Sequence, residues 1–471
     1  MLGACGTGEE AAPVPAVAVA DPGTGTRILA ADAAATAASG ALFEHSPVAV
    51  VAAGAADIAA AGAEATDLGV PLLVAAPGAQ EDVRSELERL GAGTVLTFGA
   101  PEAGWNAYVA DAQQVTAAGE LPEYTRDPAA ADAVVLTDGT PAAAAAEATA
   151  RAAGADVAVV PDGDPRADGE VVRLLHEHAG AAVFAVGASF GSPELLAGRT
   201  AVARTGVELP GGGQTVFPGR RMVALYGHPD GGSLGVLGEQ GIDASIRRAQ
   251  DTAAQYQPYS AEPVVPALEI IATVASAEAG PDGNYSRATA PEQLLPWIEA
   301  AEEAGVYVVL DLQPGRGNFL DQARIYEDLL KRPSVGLALD PEWRLAPGQH
   351  HLEQVGSVDA AEVNSVADWL AALTRDHALP QKVLMLHQFN LAMISNRTSL
   401  NVGHDELALS LHADGHGTPG EKLQTWDTLL SGLQPEIRPG WKNFYDEDKP
   451  TLTPEQTFTD ISPKPWFISY Q

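Results

Sequence analysis

The sequence predicts an α/β protein with two unlike regions in series: tandem three-layer α/β repeats of flavodoxin-like kind, then a (β/α)8 TIM barrel. Three observations carry this. From Thr26 to about Gly198, short β-branched runs alternate with alanine-rich stretches of helical length, the pattern of parallel α/β layers. Those runs recur in the same order at an offset of about 85 residues, as a tandem duplication would leave them. From Arg221 to Tyr470, eight strand-like runs are separated by helix-length stretches, and eight strands close a barrel.

At 471 residues the chain exceeds what one core usually supports, so at least two domains are expected. Lys and Arg number 27 against 62 Asp and Glu, a net charge of −35. That balance argues against nucleic acid or an anionic membrane surface as a partner. No run of eighteen apolar residues occurs. The one cysteine, Cys5, lies in Leu2-Gly3-Ala4-Cys5-Gly6, which resembles a bacterial lipobox. The resemblance implies a diacylglycerol on Cys5, anchoring an extracytoplasmic protein to the cell membrane. Residues 1–25 are then lipobox and tether, since Gly6 to Gly25 is rich in Ala, Pro, Gly and Glu. A chain with no other cysteine suits an oxidising compartment without disulfides.

Six strands are expected in the region 26–198: Val48 to Val51, Leu72 to Ala75, Val95 to Phe98, Ala133 to Leu136, Val157 to Val160 and Val183 to Val186. Three fall in each repeat, and each repeat is expected to form a small three-strand sandwich with its helices outside. Arg27-Ile28, Asp32, Thr36-Ala37, the apolar strand to Gly54 and Gly69-Val70-Pro71-Leu72-Leu73 resemble type 2 cell-wall-binding repeats of Gram-positive surface proteins. The resemblance covers roughly the N-terminal forty per cent of the chain and implies cell-wall polysaccharide or peptidoglycan as partner. Alanines stand between Ala30 and Ala35, where the family pattern carries Gly, a second Arg and an aromatic; two copies are present where three are usual.

A cluster with Gly211-Gly212-Gly213-Gln214 and Pro218-Gly219 marks residues 199–219 as a linker. The barrel, residues 220–471, matches the usual size of about 250 residues. Its strands are expected at Arg221 to Tyr226, Ala267 to Val274, Val306 to Leu312, Val335 to Asp340, Lys382 to Phe389, Leu407 to His412, Glu436 to Arg438 and Trp466 to Tyr470. Helices are expected at Pro291 to Ala304, Phe319 to Lys331, Ala360 to Asp376 and Gly420 to Leu430. A doubly wound sheet is the rival fold.

Polar residues gather at the C-terminal ends of these strands, where barrel enzymes keep their chemistry. Tyr226 and His228 end the first, Glu269 lies on the second, and Asp311 and Gln313 end the third. Asp340 and Glu342 end the fourth beside Trp343, followed by His387, Gln388 and Asn390, then His412 and Asp414, then Trp441 and Lys442. Strand alternation should aim Asp340 and Glu342 the same way. Two carboxyls so close repel when both are ionised, which raises one pKa, as an acid catalyst of glycoside hydrolysis requires.

Leu339-Asp340-Pro341-Glu342-Trp343 resembles the end of the fourth-strand signature of the chitinase clan and of barrel-type lysozymes. The resemblance implies Glu342 as general acid and Asp340 as the carboxylate orienting a substrate N-acetyl group. Asp311 joins them as the third catalytic candidate, the remaining rim residues serving the substrate. Ala338 and Val335 stand where chitinases carry further Asp residues. Trp343, Trp441 and Tyr226 offer flat faces for sugar rings. His228, Asp311, His387, His412 and Asp414 are metal-ligand types, but without a short His-x-x-x-His spacing, so no metal and no cofactor is expected. The sequence therefore points to a lipid-anchored envelope glycoside hydrolase. The alternative is a non-catalytic surface protein that binds wall glycan.

Overall fold

A computed structural model describes residues 14–32, 34–100, 104–109, 111–126 and 130–471. Fourteen α-helices and a closed parallel barrel lie among them. Cys5 falls outside the described residues. The chain divides into two compact units, one of residues to 165 with 173–204, the other of residues 166–172 with 205–471.

Two four-stranded parallel sheets form the first unit. One runs Leu72–Val74, Val48–Ala52, Thr94–Phe98, Gln113–Val115; the other runs Asp156–Val159, Ala133–Thr137, Ala182–Val186, Thr26–Leu29. All six expected strands are present, and both triplets take the order second, first, third. Each sheet has gained an edge strand that pattern reading misses, because Gln113–Val115 and Thr26–Leu29 are short and mostly not buried. The two repeats do not form separate sandwiches. Helices Ile58–Leu68 and Ala144–Ala152 pack together, a Cβ on Gly62 standing only 2.9 Å from that of Ala148. Faces of alanine and glycine let the helices of the two repeats meet closely, and one cluster runs from Val50 and Leu72 to Val135, Ala146 and Phe184.

The tether expected up to Gly25 is corrected over its described part. Ala16–Val19 is a strand, antiparallel to Phe43–His45 and parallel to Thr125–Arg126, with Val17 buried. Its Ala-Val-Ala-Val alternation is a strand signal that the surrounding Pro and Gly conceal. Arg27 and Asp32, on which the sequence resemblance partly rests, make local structural contacts. The Asp32 carboxylate accepts the amides of Thr36 and Ala37 at the start of helix Thr36–Leu42, and Arg27 lies over the Phe184 ring.

Residues 199–219 are not a linker. Helix Pro193–Ala203, capped by the Ser192 hydroxyl, ends the first unit. Beyond it, Leu209, Val216 and Phe217 join Met222, Ala224 and Phe467 in the cluster that fills the barrel interior. The buried Arg220 guanidinium donates to the carbonyls of Pro210, Gly212 and Thr215, satisfying a glycine-rich backbone that forms no ladder.

Eight parallel strands close the barrel: β1 (Arg221–Gly227), β2 (Val264–Ala275), β3 (Tyr307–Leu312), β4 (Val335–Leu339), β5 (Lys382–Gln388), β6 (Leu407–Ala413), β7 (Arg438–Asn443) and β8 (Phe467–Tyr470). β1 pairs with both β2 and β8, which completes the ring and excludes the doubly wound alternative. Only β7 is displaced from expectation, since Pro439 and Gly440 hide its pattern. Outward residues such as Leu310, Leu337, Leu339 and Leu386 pack under the helices, while Val309, Ala338, Met385 and Ala408 fill the interior. The expected helices are found at Pro291–Glu303, Ala360–Asp376, Pro419–Leu430 and as a pair, Phe319–Ile325 and Glu327–Leu330. Helices Ile242–Tyr256 and Pro454–Thr459 were not foreseen.

Candidate functional site

The apolar filling gives way to polar groups one step toward the C-terminal ends. Inward positions alternate, so Tyr226 follows Ala224, Glu269 follows Ala267, Asp311 follows Val309, His387 follows Met385 and Lys442 follows Gly440. Register sets them level: Tyr226 stands beside Glu269, His387 beside His412, and Gly440 beside His412.

A buried network results. His387 lies between two carboxylates, Nε2 at 2.8 Å from Glu269 Oε1 and Nδ1 at 3.0 Å from Asp414 Oδ2. Tyr226 donates to Asp311 Oδ2 at 3.0 Å, and Gln313 donates to the Tyr226 hydroxyl. The second imidazole, His412, lies 4.8 Å from the first between ring centroids, its Nε2 at 3.2 Å from Ser469 Oγ. Lys442 Nζ sits 3.7 Å from the centre of the Tyr226 ring.

Above this layer opens a cavity of about 320 Å³, lined by Tyr226, Asp340, Glu342, Asp414 and Lys442 with the aromatic faces of Trp343, Phe389 and Phe444. Asp340 and Glu342 do share it, though not through strand alternation. β4 stops at Leu339; Asp340 caps a 3-10 turn, Pro341–Trp343, and accepts the Glu342 amide at 3.2 Å. Among the described residues no side chain donates a hydrogen bond to the Glu342 carboxylate.

Burial sets the protonation pattern. It pushes Glu342 up to about 7, the Asp414 carboxylate adding to the effect and Lys442 opposing it. Asp340, more deeply enclosed, is held well above the usual carboxylate range, and Asp311 rises to about 6. Burial raises Glu269 and Asp414 too, but the imidazoles outweigh it and both end below their ordinary values. His387 is the converse: burial works to lower it, and Glu269, Asp414 and Asp311 hold it well above. Burial takes His412 down to about 3.

Several expected rim residues serve structure instead. Trp441 points outward, its ring edge-on to Trp426 and its indole donating to Asn443, because alternation that turns Lys442 inward must turn its neighbour out. Gln388 is outward for the same reason, donating to the Asn390 carbonyl and accepting from Arg397. Asn390 is exposed and caps the turn Leu391–Met393. His228 pairs with Thr289 and the Asp230 amide, and Gln313 accepts the Ala275 amide while bracing Tyr226. Phe389, Phe444, His416 and Gln471 line the cavity without having been singled out. Period-two counting from His387 and from Lys442 would have found the two phenylalanines.

Two triads could hold a metal ion: Glu269 with His387 and His412, and Asp340 with His387 and Asp414, each set offering atoms within 4.8 Å of one another. No helix among the described residues is long and apolar enough to cross a membrane. No protein-family model matches the chain, and neither does any curated protein or solved structure.

Proposed function

We propose that the barrel is a glycoside hydrolase of the cell envelope with Glu342 as its general acid. One observation carries the reading: a carboxyl raised to about 7, without a hydrogen-bonded side-chain partner among the described residues, faces a cavity with aromatic walls and further carboxylates. Glu342 gives its proton to the glycosidic oxygen as the bond to the anomeric carbon breaks. The positive charge developing on the sugar is met by the Asp414 carboxylate. Water then adds to that carbon and returns a proton to Glu342. Asp340 orients the substrate acetamido group, the role its likeness to the chitinase clan implies, and Asp311 supports the layer beneath. Trp343, Phe389 and Phe444 offer faces on which sugar rings stack.

The first unit is read as a pair of flavodoxin-like, cell-wall-repeat-like modules that keep the barrel on wall polymer, the chain being anchored through Cys5. The shared second-first-third strand order supports that reading. The test is release of reducing ends from purified peptidoglycan and envelope polysaccharides by the full chain. Wild type should release them, and Glu342→Gln should bind the same polymer while losing turnover. Binding without release by wild type on every polymer would leave a glycan-binding surface protein instead.

A further inference from the structure

Beneath the cavity, three buried side chains leave atoms without partners. Glu269 Oε2, Asp311 Oδ1 and His412 Nδ1 have no hydrogen bond, and all three residues are fully enclosed. Polar atoms so buried normally find a partner, because desolvation without one costs free energy. The residues meet around His387 Nε2: Glu269, His387 and His412 offer atoms within 4.8 Å of one another, His412 Nδ1 is 3.8 Å from Glu269 Oε1, and His387 Nε2 is 2.8 Å from that oxygen and 3.9 Å from Asp311 Oδ1. Donors ~2.1 Å from a tetrahedral ion stand ~3.4 Å apart, a spacing that these separations bracket.

The remaining atoms of the same residues are held from behind. His387 Nδ1 meets the Asp414 carboxylate, His412 Nε2 meets the Ser469 hydroxyl, and Asp311 Oδ2 accepts from Tyr226. Orientation of each ligand by an outer partner is how metal sites fix their imidazoles and carboxylates. Four buried carboxyls, Glu269, Asp311, Asp340 and Asp414, gather in this region with the buried groups of His387, Lys422 and Lys442.

We propose that Glu269, Asp311, His387 and His412 bind one divalent cation of the zinc class as a closed, four-ligand site under the cavity. The mixed nitrogen and oxygen donors favour zinc or cobalt over magnesium or calcium. Four protein ligands without an open position mark a site that fixes the architecture of the barrel mouth rather than one that activates water. The site goes beyond the hydrolase reading and does not need it.

The full chain, stripped with chelator and dialysed, is titrated with Zn²⁺ by calorimetry and with Co²⁺ by visible absorption. One equivalent should bind, cobalt should show the intense bands of tetrahedral coordination, and the melting temperature should rise on loading. Asp311→Asn and His412→Ala should weaken binding by ~100-fold or more, and Ser469→Ala, which removes only an outer partner, by ~10-fold. His404→Ala, an imidazole paired with Asp368 far from this cluster in the barrel's polar layer, should bind as wild type. If His412→Ala fails to fold, the near-isosteric Asp311→Asn gives the same comparison. Folded wild type without a bound equivalent overturns the inference, as does binding unchanged in Asp311→Asn. Glu342→Gln should retain the equivalent, so loss of turnover there with metal still bound separates the two readings.

Discussion

Parallel strands end differently in the two units, and the difference separates a scaffold from a site. In the first unit the third strand of each repeat runs into a glycine, Gly99 or Gly187, both with φ in the left-handed half of the map. A side chain at either would strike a carboxylate, with a Cβ 2.1 Å from Asp57 Oδ2 in one and from Asp138 Oδ2 in the other. The cavity over the first sheet, about 610 Å³, is walled by alanines, Pro77, Trp105 and Tyr108, with no carboxylate, imidazole or ammonium. In the barrel the corresponding ends deliver Glu269, Asp311, His387, His412 and Lys442 inward. Alanine faces let helices approach closely and leave nothing to titrate; the barrel mouth concentrates charge where water is scarce, at a cost in stability that a site can justify.

The contrast is sharpest for Glu342→Gln. Turnover should fall by roughly 10²–10⁴-fold, the usual contribution of a general acid, with polymer binding intact. The same substitution should stabilise the barrel at alkaline pH. The folded-state pKa lies above the unfolded one, so wild-type stability falls as pH rises from about 4.5 to about 7 and stays lowered beyond. The amide escapes that loss, and chemical denaturation should show a gain on the order of 1 kcal/mol at pH 8 and none at pH 4, discounted for partial exposure. The activity profile should descend through pH 7 as Glu342 loses its proton, and a flat profile from pH 5 to 9 would remove it as the acid. Asp414 raises the midpoint and Lys442 and His387 lower it, without changing the sign.

Stability experiments then divide the two units. His387→Ala leaves Glu269 and Asp414 buried without their imidazole and should cost the barrel about 3–5 kcal/mol, read as a shift in its calorimetric transition alone. Gly62→Leu forces a branched side chain against Ala148 and should cost the first unit about 1–3 kcal/mol with the barrel transition unmoved. Asp32→Ala, which removes the acceptor at the start of Thr36–Leu42, should cost about 1 kcal/mol in the same unit. Equal shifts in both transitions would show one cooperative body where two units are described.

The barrel was legible in sequence because each of its strands is a self-contained apolar run with its polar group at the end. Tyr226, Asp340, Glu342, Trp343, Asp414 and Lys442 could be assigned to one mouth from strand position alone, and the cavity gathers them. Rim residues one step from an inward one escape that assignment: alternation turns Trp441 and Gln388 outward, and Asn390 lies beyond the ladder as the cap of a turn. Metal-ligand spacing was equally invisible, since Glu269, His387 and His412 come from three strands separated by long stretches of chain and meet only when the sheet closes. In the first unit, Thr26–Leu29 carries little apolar signal of its own, and the short Ala16–Val19 run is concealed by the Pro and Gly around it.

Thr26–Leu29 has a temporal consequence. Its partner, Ala182–Val186, is among the last segments of the first unit to be made. A nascent chain must keep Thr26–Leu29 unpaired in this sheet until Ala182–Val186 is made, and the second sheet gains its edge only then. Such a fold is slow to assemble by the logic of loop closure, and a ribosome paused before Ala182 would hold Thr26–Leu29 already made while the strand it pairs with was still to come.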